Sequence, residues 1–423
     1  MRMDEEKLAA AIAAFRIDRD ELAATAAAFR YDIERGLEGN TESTLPLLPA
    51  YIGLPTGEEK GEYLALDFGG TNVRALRLRL LGNGRHELLG KAAAPLRQAG
   101  KHDYVSARAT ATELFDFIAG LIETVLDGDT ATEYRLGHTF SFPSAQTDLY
   151  NARLLRWTKE FATRGVEGEV VNDLLTAALE RRGLKNVHPA AVINDTVAVL
   201  LAAAYEEHGT YIGSIYATGQ NNCYLETYGD TQPAMILNME SGNFGKLLPN
   251  AYDRALDDAS EKPGQQRLEK MVSGRYMGEL FSLVLADVLG AVPEHRFTSV
   301  DMAAMLGKPE DGVAVLASGL GQECSLRLMA DLQPLLAAIV RRSARLTAAG
   351  YAGILWHRAG HEAIAPQQIA IDGSVYEKMP IVQENMARAM SELLGGDAAR
   401  VQLRLANGGS GLGAAIAAAM SKM

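Results

Sequence analysis

Tyr63-Leu64-Ala65-Leu66-Asp67-Phe68-Gly69-Gly70-Thr71-Asn72-Val73-Arg74 runs from a short apolar segment through a glycine bend into a second extended segment. Beyond it, Leu76, Leu78 and Leu80 alternate with Arg77 and Arg79, the period of a half-buried strand. Asn83-Gly84 then supplies a hairpin signal. Leu114, Phe117, Ile118, Leu121 and Val125 fall at helical spacing over 110–126. A strand near 135–142 and a helix near 170–181 continue the alternation, so the expected unit is βββαβα and the fold class α/β.

Farther along, Ala190-Ala191-Val192-Ile193 reads as a short buried strand that ends at Asn194-Asp195 and leads into a helix rich in Ala and Leu. An acidic residue at the C-terminal end of a strand is well placed for a site, because open α/β sheets bind ligands there. Residues 211–228 repeat the opening theme: a strand, the turn Ala217-Thr218-Gly219-Gln220-Asn221, and a second strand through Tyr224 and Leu225. Two such β-turn-β units suggest two related domains. The region 262–360 is helical by periodicity, 368–372 reads as a strand, and 401–405 as another. A loop over 407–413 and an alanine-rich helix close the chain. At the other end, Leu8, Ile12, Phe15, Leu22, Phe29 and Ile33 mark a helical arm over 4–36, followed by a connector with Pro46, Pro49, Gly53, Pro55 and Gly57.

A chain of 423 residues exceeds one compact core, so two domains are expected. It is 48% hydrophobic and 22% charged, with no apolar run long enough to span a bilayer. Cys223 and Cys324 are its two cysteines, too few for a disulfide framework, and the N-terminal residues lack the pattern of a signal or transit peptide. A cytoplasmic protein is expected. The net charge of −12 opposes binding to nucleic acid or anionic membrane. A small ligand or a metal-bound nucleotide is compatible with it.

Within Asp67–Thr71, the glycines let backbone approach a phosphate, Thr71 offers a hydroxyl and Asp67 can join the outer shell of a magnesium ion. The plain alternative is a hairpin turn. Thr218-Gly219 supplies a second bend, and two facing bends can clamp a triphosphate. No segment has the Gly-x4-Gly-Lys-Ser/Thr spacing of a P-loop, and Gly409-Ser410-Gly411-Leu412-Gly413 fits a dinucleotide fingerprint only loosely. His357 and His361 are four apart without an evident third metal ligand. Glu240 and Glu269 have no special spacing, and by themselves read as solvated carboxylates.

Taken together, these segments resemble, in order and spacing, the hexokinase family of single-unit eukaryotic type over about residues 60–420. Asp67–Arg74 resembles its first phosphate motif, and Phe140-Ser141-Phe142-Pro143 with Trp157-Thr158-Lys159-Glu160-Phe161 its sugar-binding stretch. Ile193–Val197 resembles the segment of the catalytic aspartate, and Ala217–Glu226 the second phosphate loop with its sugar-binding asparagine. Asn238-Met239-Glu240 and Leu268-Glu269-Lys270 are similar to segments whose glutamates contact sugar hydroxyls, while 371–376 and 409–411 match elements near the nucleotide. The chain departs from the family pattern at Ser241 (tryptophan), Ala217 (glycine), Gly408 (aspartate) and Leu412 (lysine).

The resemblance implies two domains of duplicated ribonuclease-H-like fold, the actin/hexokinase ATPase type, with a ligand cleft between them. The implied division is an N-terminal arm over 1–60 on the large domain, a small domain over 61–193 closed by a helix at 411–423, and a large domain over 194–410. It implies ATP and Mg2+, and transfer of the γ-phosphoryl group to the 6-hydroxyl of glucose, mannose or fructose, with closure on sugar binding by a monomer or homodimer. Asp195 is then the base and Lys159 the second catalytic group. Ser141, Thr158, Lys159, Asn194, Asp195, Asn221, Glu240 and Glu269 hold the sugar. Asp67, Gly69, Gly70, Thr71, Asn72, Arg74, Thr218, Gly219, Gly409, Ser410 and Gly411 hold the nucleotide, with no direct protein ligand to the metal. A non-catalytic sugar sensor on the same fold is the alternative.

Overall fold

The computed structural model describes residues 3–158, 160–406 and 408–422. Helices α1 (Glu5–Ala14) and α2 (Arg19–Leu37) open the chain, followed by strands β1 (Leu48–Pro49), β2 (Lys60–Phe68), β3 (Asn72–Gly82), β4 (Arg85–Pro95), β5 (Arg97–Gln98) and β6 (His102–Asp103). Helix α3 (Ala111–Leu126), strands β7 (Tyr134–Phe140), β8 (Ser144–Gln146) and β9 (Ala152–Leu154), helix α4 (Val171–Arg181), strand β10 (Val187–Ile193) and helix α5 (Asp195–Glu206) come next. Strands β11 (Thr210–Tyr216), β12 (Gln220–Glu226) and β13 (Met235–Asn238) lead to helices α6 (Ala251–Asp258), α7 (Arg267–Val272), α8 (Gly274–Leu289), α9 (Ser299–Leu306), α10 (Pro309–Leu320) and α11 (Leu326–Ala359). Strand β14 (Gln367–Asp372), helices α12 (Ser374–Lys378) and α13 (Val382–Leu394), strand β15 (Val401–Leu405) and helix α14 (Gly409–Met420) complete it.

By contacts the chain divides into two units: Met1–Leu47 with Ser214–Asn222 and Met239–Leu405, and Leu48–Gly213 with Cys223–Asn238 and Ala406–Met423. This division differs from the boundary expected at 193/194. Residues 195–213 stay with β2 because α5 packs on α14, and 223–238 because Cys223, Leu225 and Ile236 join the core that holds Tyr63 and Ala65 of β2.

The unit that holds β2 is built on a five-stranded sheet of order β10-β7-β2-β3-β4, antiparallel from β2 to β4 and parallel from β2 to β10. Period-two alternation sorts its side chains. Leu64, Leu66, Phe68, Val73, Leu136 and Phe140 join one core with α3 and α4. Tyr63, Ala65, Leu78, Leu80, Ala191 and Ile193 join a second core with α5 and α14. Asn83 and Gly84, at φ 52° and 68°, make the β3–β4 turn that Asn-Gly signals. A Thr110–Glu113 capping box starts α3, whose buried stripe holds Leu114, Phe115, Ile118, Ile122 and Val125. The last helix begins at Gly409 rather than after the glycines, because these residues are buried and pack closely on α5 and β3.

The other unit is mostly helical around α11, a 34-residue helix buried along most of its length from Met329 to Leu355. The arm helix α2 lies against it. Asp32 of α2 is fully buried: it accepts from Thr44 N–H at 3.1 Å and Thr44 Oγ1 at 2.5 Å, and pairs with Lys246 Nζ at 2.6 Å. Arg342 of α11 makes a buried bidentate pair with Asp253 of α6, both bonds 2.7 Å. In this unit β14 pairs with β15 in parallel, from Gln367↔Val401 to Ile371↔Leu405. No helix among the described residues is long and apolar enough to cross a membrane.

Candidate active site

In the unit that holds β2, β10 ends at Ile193 beside Thr139 of β7 and hands the chain directly to α5. Asn194 is the N-cap: its Oδ1 accepts from Thr196 N–H at 2.9 Å and Thr196 Oγ1 at 2.6 Å. Asp195 is the first helical residue, half-buried, with Oδ1 2.8 Å from the same Thr196 N–H. Behind them Cys223 Sγ donates to Thr196 O at 3.1 Å, and burial pushes the thiol well above its ordinary range, which leaves it a core residue without nucleophilic character.

The expected phosphate turn after β2 is tied by Gly69 N–H to Asn72 O at 3.2 Å and by Leu96 N–H to Thr71 O at 2.9 Å, with Thr71 and Asn72 exposed. Asp67 and Arg74 face each other across the β2–β3 ladder and form an ion pair at 3.0 Å. Gly69 and Gly70 are half-buried in the turn.

Ser141 and Thr158 are half-buried and flank an aromatic cluster. Phe142 and Trp157 meet edge-on at 4.9 Å, Trp157 stacks on Phe161 at 4.9 Å, and Phe68 contacts Phe140 at 5.6 Å. Trp157 Nε1 donates to Thr163 O at 2.8 Å. Rigid ring pairs of this kind, each contributing about 0.5–1.5 kcal/mol, hold the backbone on both sides of the two hydroxyls. Lys159 lies outside the described residues. Three residues before Ser141, His138 is completely buried and stacked 6.0 Å from Phe68, and desolvation pushes it down to about 3.

Gly409 and Gly411 carry an evident packing role. A Cβ at Gly411 would lie 2.1 Å from Leu76 Cδ1, and one at Gly409 3.2 Å from the Val199 Cα. Ser410 O accepts from Thr139 Oγ1 at 2.9 Å, fixing the start of α14 against β7.

In the other unit, the β11–β12 turn closes through Ala217 N–H to Gly219 O at 3.0 Å. The first N–H groups of α8 cap it: Gly274 donates to Ala217 O at 2.8 Å and Arg275 to Thr218 O at 3.1 Å. Thr218 is left exposed. Directly after the turn, Gln220 N–H donates to Glu269 Oε2 at 3.1 Å, and Asn221 Oδ1 accepts from Ser241 N–H at 3.1 Å. Glu240 holds a left-handed backbone, φ 51°, stabilised by Asn243 N–H at 3.0 Å and Asn243 Nδ2 at 3.1 Å on its carbonyl. Such a conformation costs a non-glycine residue roughly 1–3 kcal/mol and is concentrated at functional sites.

The structure therefore gathers Gly219, Asn221, Glu240 and Glu269 in one unit, and sets Asp67, Arg74, Ser141, Thr158, Asn194, Asp195 and Gly409–Gly411 in the other. Glu240 and Glu269 are partly buried and engaged, unlike the solvated carboxylates their spacing suggests. Gln220 and Ser241 lie outside the expected contact sets, although Ser241 is a departure from the family pattern and the amide run Gln220-Asn221-Asn222 that opens β12 is a visible signal. Among the described residues no group of three His, Cys, Asp or Glu side chains is arranged to hold a metal.

Two hexokinase family models match the chain, one over residues 7–205 and one over 211–420. Hexokinase-7 of Oryza sativa subsp. japonica is 33% identical, over 92% of this chain and 91% of that protein. Hexokinase-2 of Rattus norvegicus is 34% identical over 92% of this chain and 45% of that protein, so the chain spans about half the length of that relative. The hexokinase of Schistosoma mansoni, solved in complex with glucose, superposes with a TM-score of 0.84 at 30% identity, covering 98% of each chain. Two α/β sheets with the β-turn-β theme in each, matched along nearly the whole length in sequence and in fold, are those of the duplicated actin/hexokinase ATPase architecture, and the chain belongs to the hexokinase family.

Proposed function

We propose that this chain is an ATP-dependent hexokinase that transfers the γ-phosphoryl group of Mg-ATP to the 6-hydroxyl of a hexose, glucose foremost, with mannose and fructose as further substrates. The observation that carries this reading is Asp195, a half-buried carboxylate at the C-terminal end of a parallel strand, beside Asn194. Asp195 accepts the proton of the attacking hydroxyl as its oxygen bonds to the γ-phosphorus; the bond from that phosphorus to the β–γ bridging oxygen breaks, and ADP leaves.

A hexose offers hydroxyls in every direction, each of which must be matched or lose its hydration uncompensated. Ser141, Thr158, Lys159 and Asn194 from one unit and Asn221, Glu240 and Glu269 from the other match them. Asp67, Gly69, Gly70, Thr71, Asn72 and Arg74, Thr218 and Gly219, and Gly409, Ser410 and Gly411 serve the nucleotide; exposed Thr71 and Thr218 hydroxyls on tight turns fit phosphate oxygens. Magnesium arriving with the nucleotide would supply charge neutralisation on the phosphates, and Asp67 is the residue that would hold its outer shell. Lys159 offsets the charge that develops on the transferred group.

Water is a smaller competing nucleophile than a sugar, so the reading includes closure of a small domain on a large one, with the arm on the large one, when the hexose binds. The enzyme works in the cytoplasm as a monomer or homodimer. A coupled assay of ADP release with Mg-ATP and glucose, mannose or fructose tests it. Hexose-dependent release is expected; sugar-independent release, or sugar binding without release, overturns it.

A further inference from the structure

Ser241 sits at the centre of a buried amide network in the unit that carries Asn221, Glu240 and Glu269. Its side chain and that of Gln220 are buried. Ser241 Oγ donates to Gln220 Oε1 at 3.2 Å, Gln220 Nε2 donates to Asn222 Oδ1 at 3.2 Å, and Gln220 N–H donates to Glu269 Oε2 at 3.1 Å. Asn221 Oδ1 accepts from the N–H groups of Asn222 at 2.7 Å and Ser241 at 3.1 Å, with Ser241 Oγ at 3.5 Å. Backbone N–H groups can only donate, so the atom they meet must be the amide oxygen. The orientation of the Asn221 amide is thereby fixed, and the atom it brings to a hydroxyl is Nδ2, which can only donate.

We propose that Ser241 is the positioning residue for sugar recognition in this unit: its N–H and its hydroxyl, both on Asn221 Oδ1, lock Asn221 as a donor toward one hexose hydroxyl oxygen. The inference rests on the hexokinase reading above. It assigns this site to hexoses whose hydroxyl oxygen at that position accepts a hydrogen bond, and against sugars that lack this oxygen. With Ser241→Ala, Asn221 Oδ1 loses the hydroxyl contact and Gln220 Oε1 loses its buried donor, so the Asn221 amide is held by two N–H groups alone and loosens, while the Gln220 N–H bond to Glu269 stays.

The test compares wild type, Ser241→Ala and Ser241→Thr with Mg-ATP and a series of glucose, 2-deoxyglucose, 3-deoxyglucose and 4-deoxyglucose. For Ser241→Ala the expected result is a KM for glucose raised about tenfold with kcat within about twofold, the signature of lost binding rather than lost transition-state contact. The same substitution leaves KM nearly unchanged for the deoxy sugar that lacks the recognised oxygen. Ser241→Thr keeps a hydroxyl and restores the wild-type discrimination. Equal KM increases for every sugar, or none for glucose, overturn the assignment while leaving the kinase reading intact. If Ser241→Ala fails to fold, Asn221→Asp, which keeps the accepting oxygen and removes the donor, must show the same selective loss, and a uniform loss there overturns the assignment equally. A wild type that releases no ADP with any hexose overturns the kinase reading and this inference together.

Discussion

Asp195 ends one element and begins another: β10 delivers it, Asn194 caps the helix behind it, and Thr196 N–H meets its Oδ1. None of these contacts needs its acidity for folding, since Asn194 and Thr196 satisfy the cap between them. Asp195→Ala is therefore expected to keep the wild-type circular dichroism and melting temperature while kcat falls by about 10²–10⁴, the contribution of a general base. Turnover near wild type in the coupled assay would remove Asp195 from the mechanism. His138 shows the opposite case, a titratable group that serves only the core. Unfolded, it takes up a proton near 6.5; folded, with both ring nitrogens unpartnered among the rings of Phe68 and Phe140, it does so at about 3. Between those values the unfolded state binds more protons, so stability falls as pH falls, by up to about 1.4 kcal/mol per pH unit from this residue alone. Urea unfolding of wild type and His138→Leu between pH 5 and 6.5 is expected to show the shallower pH slope in the variant; equal slopes would refute the assignment. Asp195 was legible because its signal is local, strand followed by an acidic residue. The burial of His138 was not, and Ser241 showed only as a departure from the family pattern, because an amide network across twenty positions leaves no local pattern.

At the scale of elements, the two hairpins of β2–β4 and the helix α3 were readable from alternation, Asn-Gly and helical spacing, all short-range devices. Helices α5 and α14 are buried nearly all round, from Thr196 to Tyr205 and from Leu412 to Ala418, so neither carries an amphipathic stripe. The glycines in the first turns of α14 read as a loop, yet they are what lets two apolar helices touch. A Cβ at Gly413 would stand 2.1 Å from Ala198 O, a backbone atom of α5 that cannot swing aside. Gly413→Ala is expected to destabilise the protein by about 1–3 kcal/mol or more through overpacking. Gly396→Ala, with nothing within 4 Å of the new Cβ, should stay within about 0.5 kcal/mol. Urea midpoints compare the two, and equal midpoints would show that α14 does not depend on close approach to α5.

At the scale of the molecule, the units interleave in sequence: each is assembled from three stretches of chain. The duplicated theme was legible, but the placement of 195–213 was not, because it follows from α5 meeting α14, a contact between segments far apart in the chain. The interleaving also distributes the proposed sugar contacts, with Ser141, Thr158, Asn194 and Asp195 in one unit and Asn221, Glu240 and Glu269 in the other. A ligand that binds only the folded state stabilises it by RT ln(1 + [L]/Kd), about 2.7 kcal/mol at a hundredfold excess over Kd. If one hexose engages both sets, that stabilisation reaches both units, so in a calorimetric scan with glucose at such an excess every unfolding transition should move upward. Glu269→Gln and Asn194→Ala, one substitution in each unit, should each shrink the shift of all transitions rather than of one. A scan in which glucose moves one transition and leaves another in place would mean that the sugar is held by one unit alone, and the shared recognition proposed for this chain would fail.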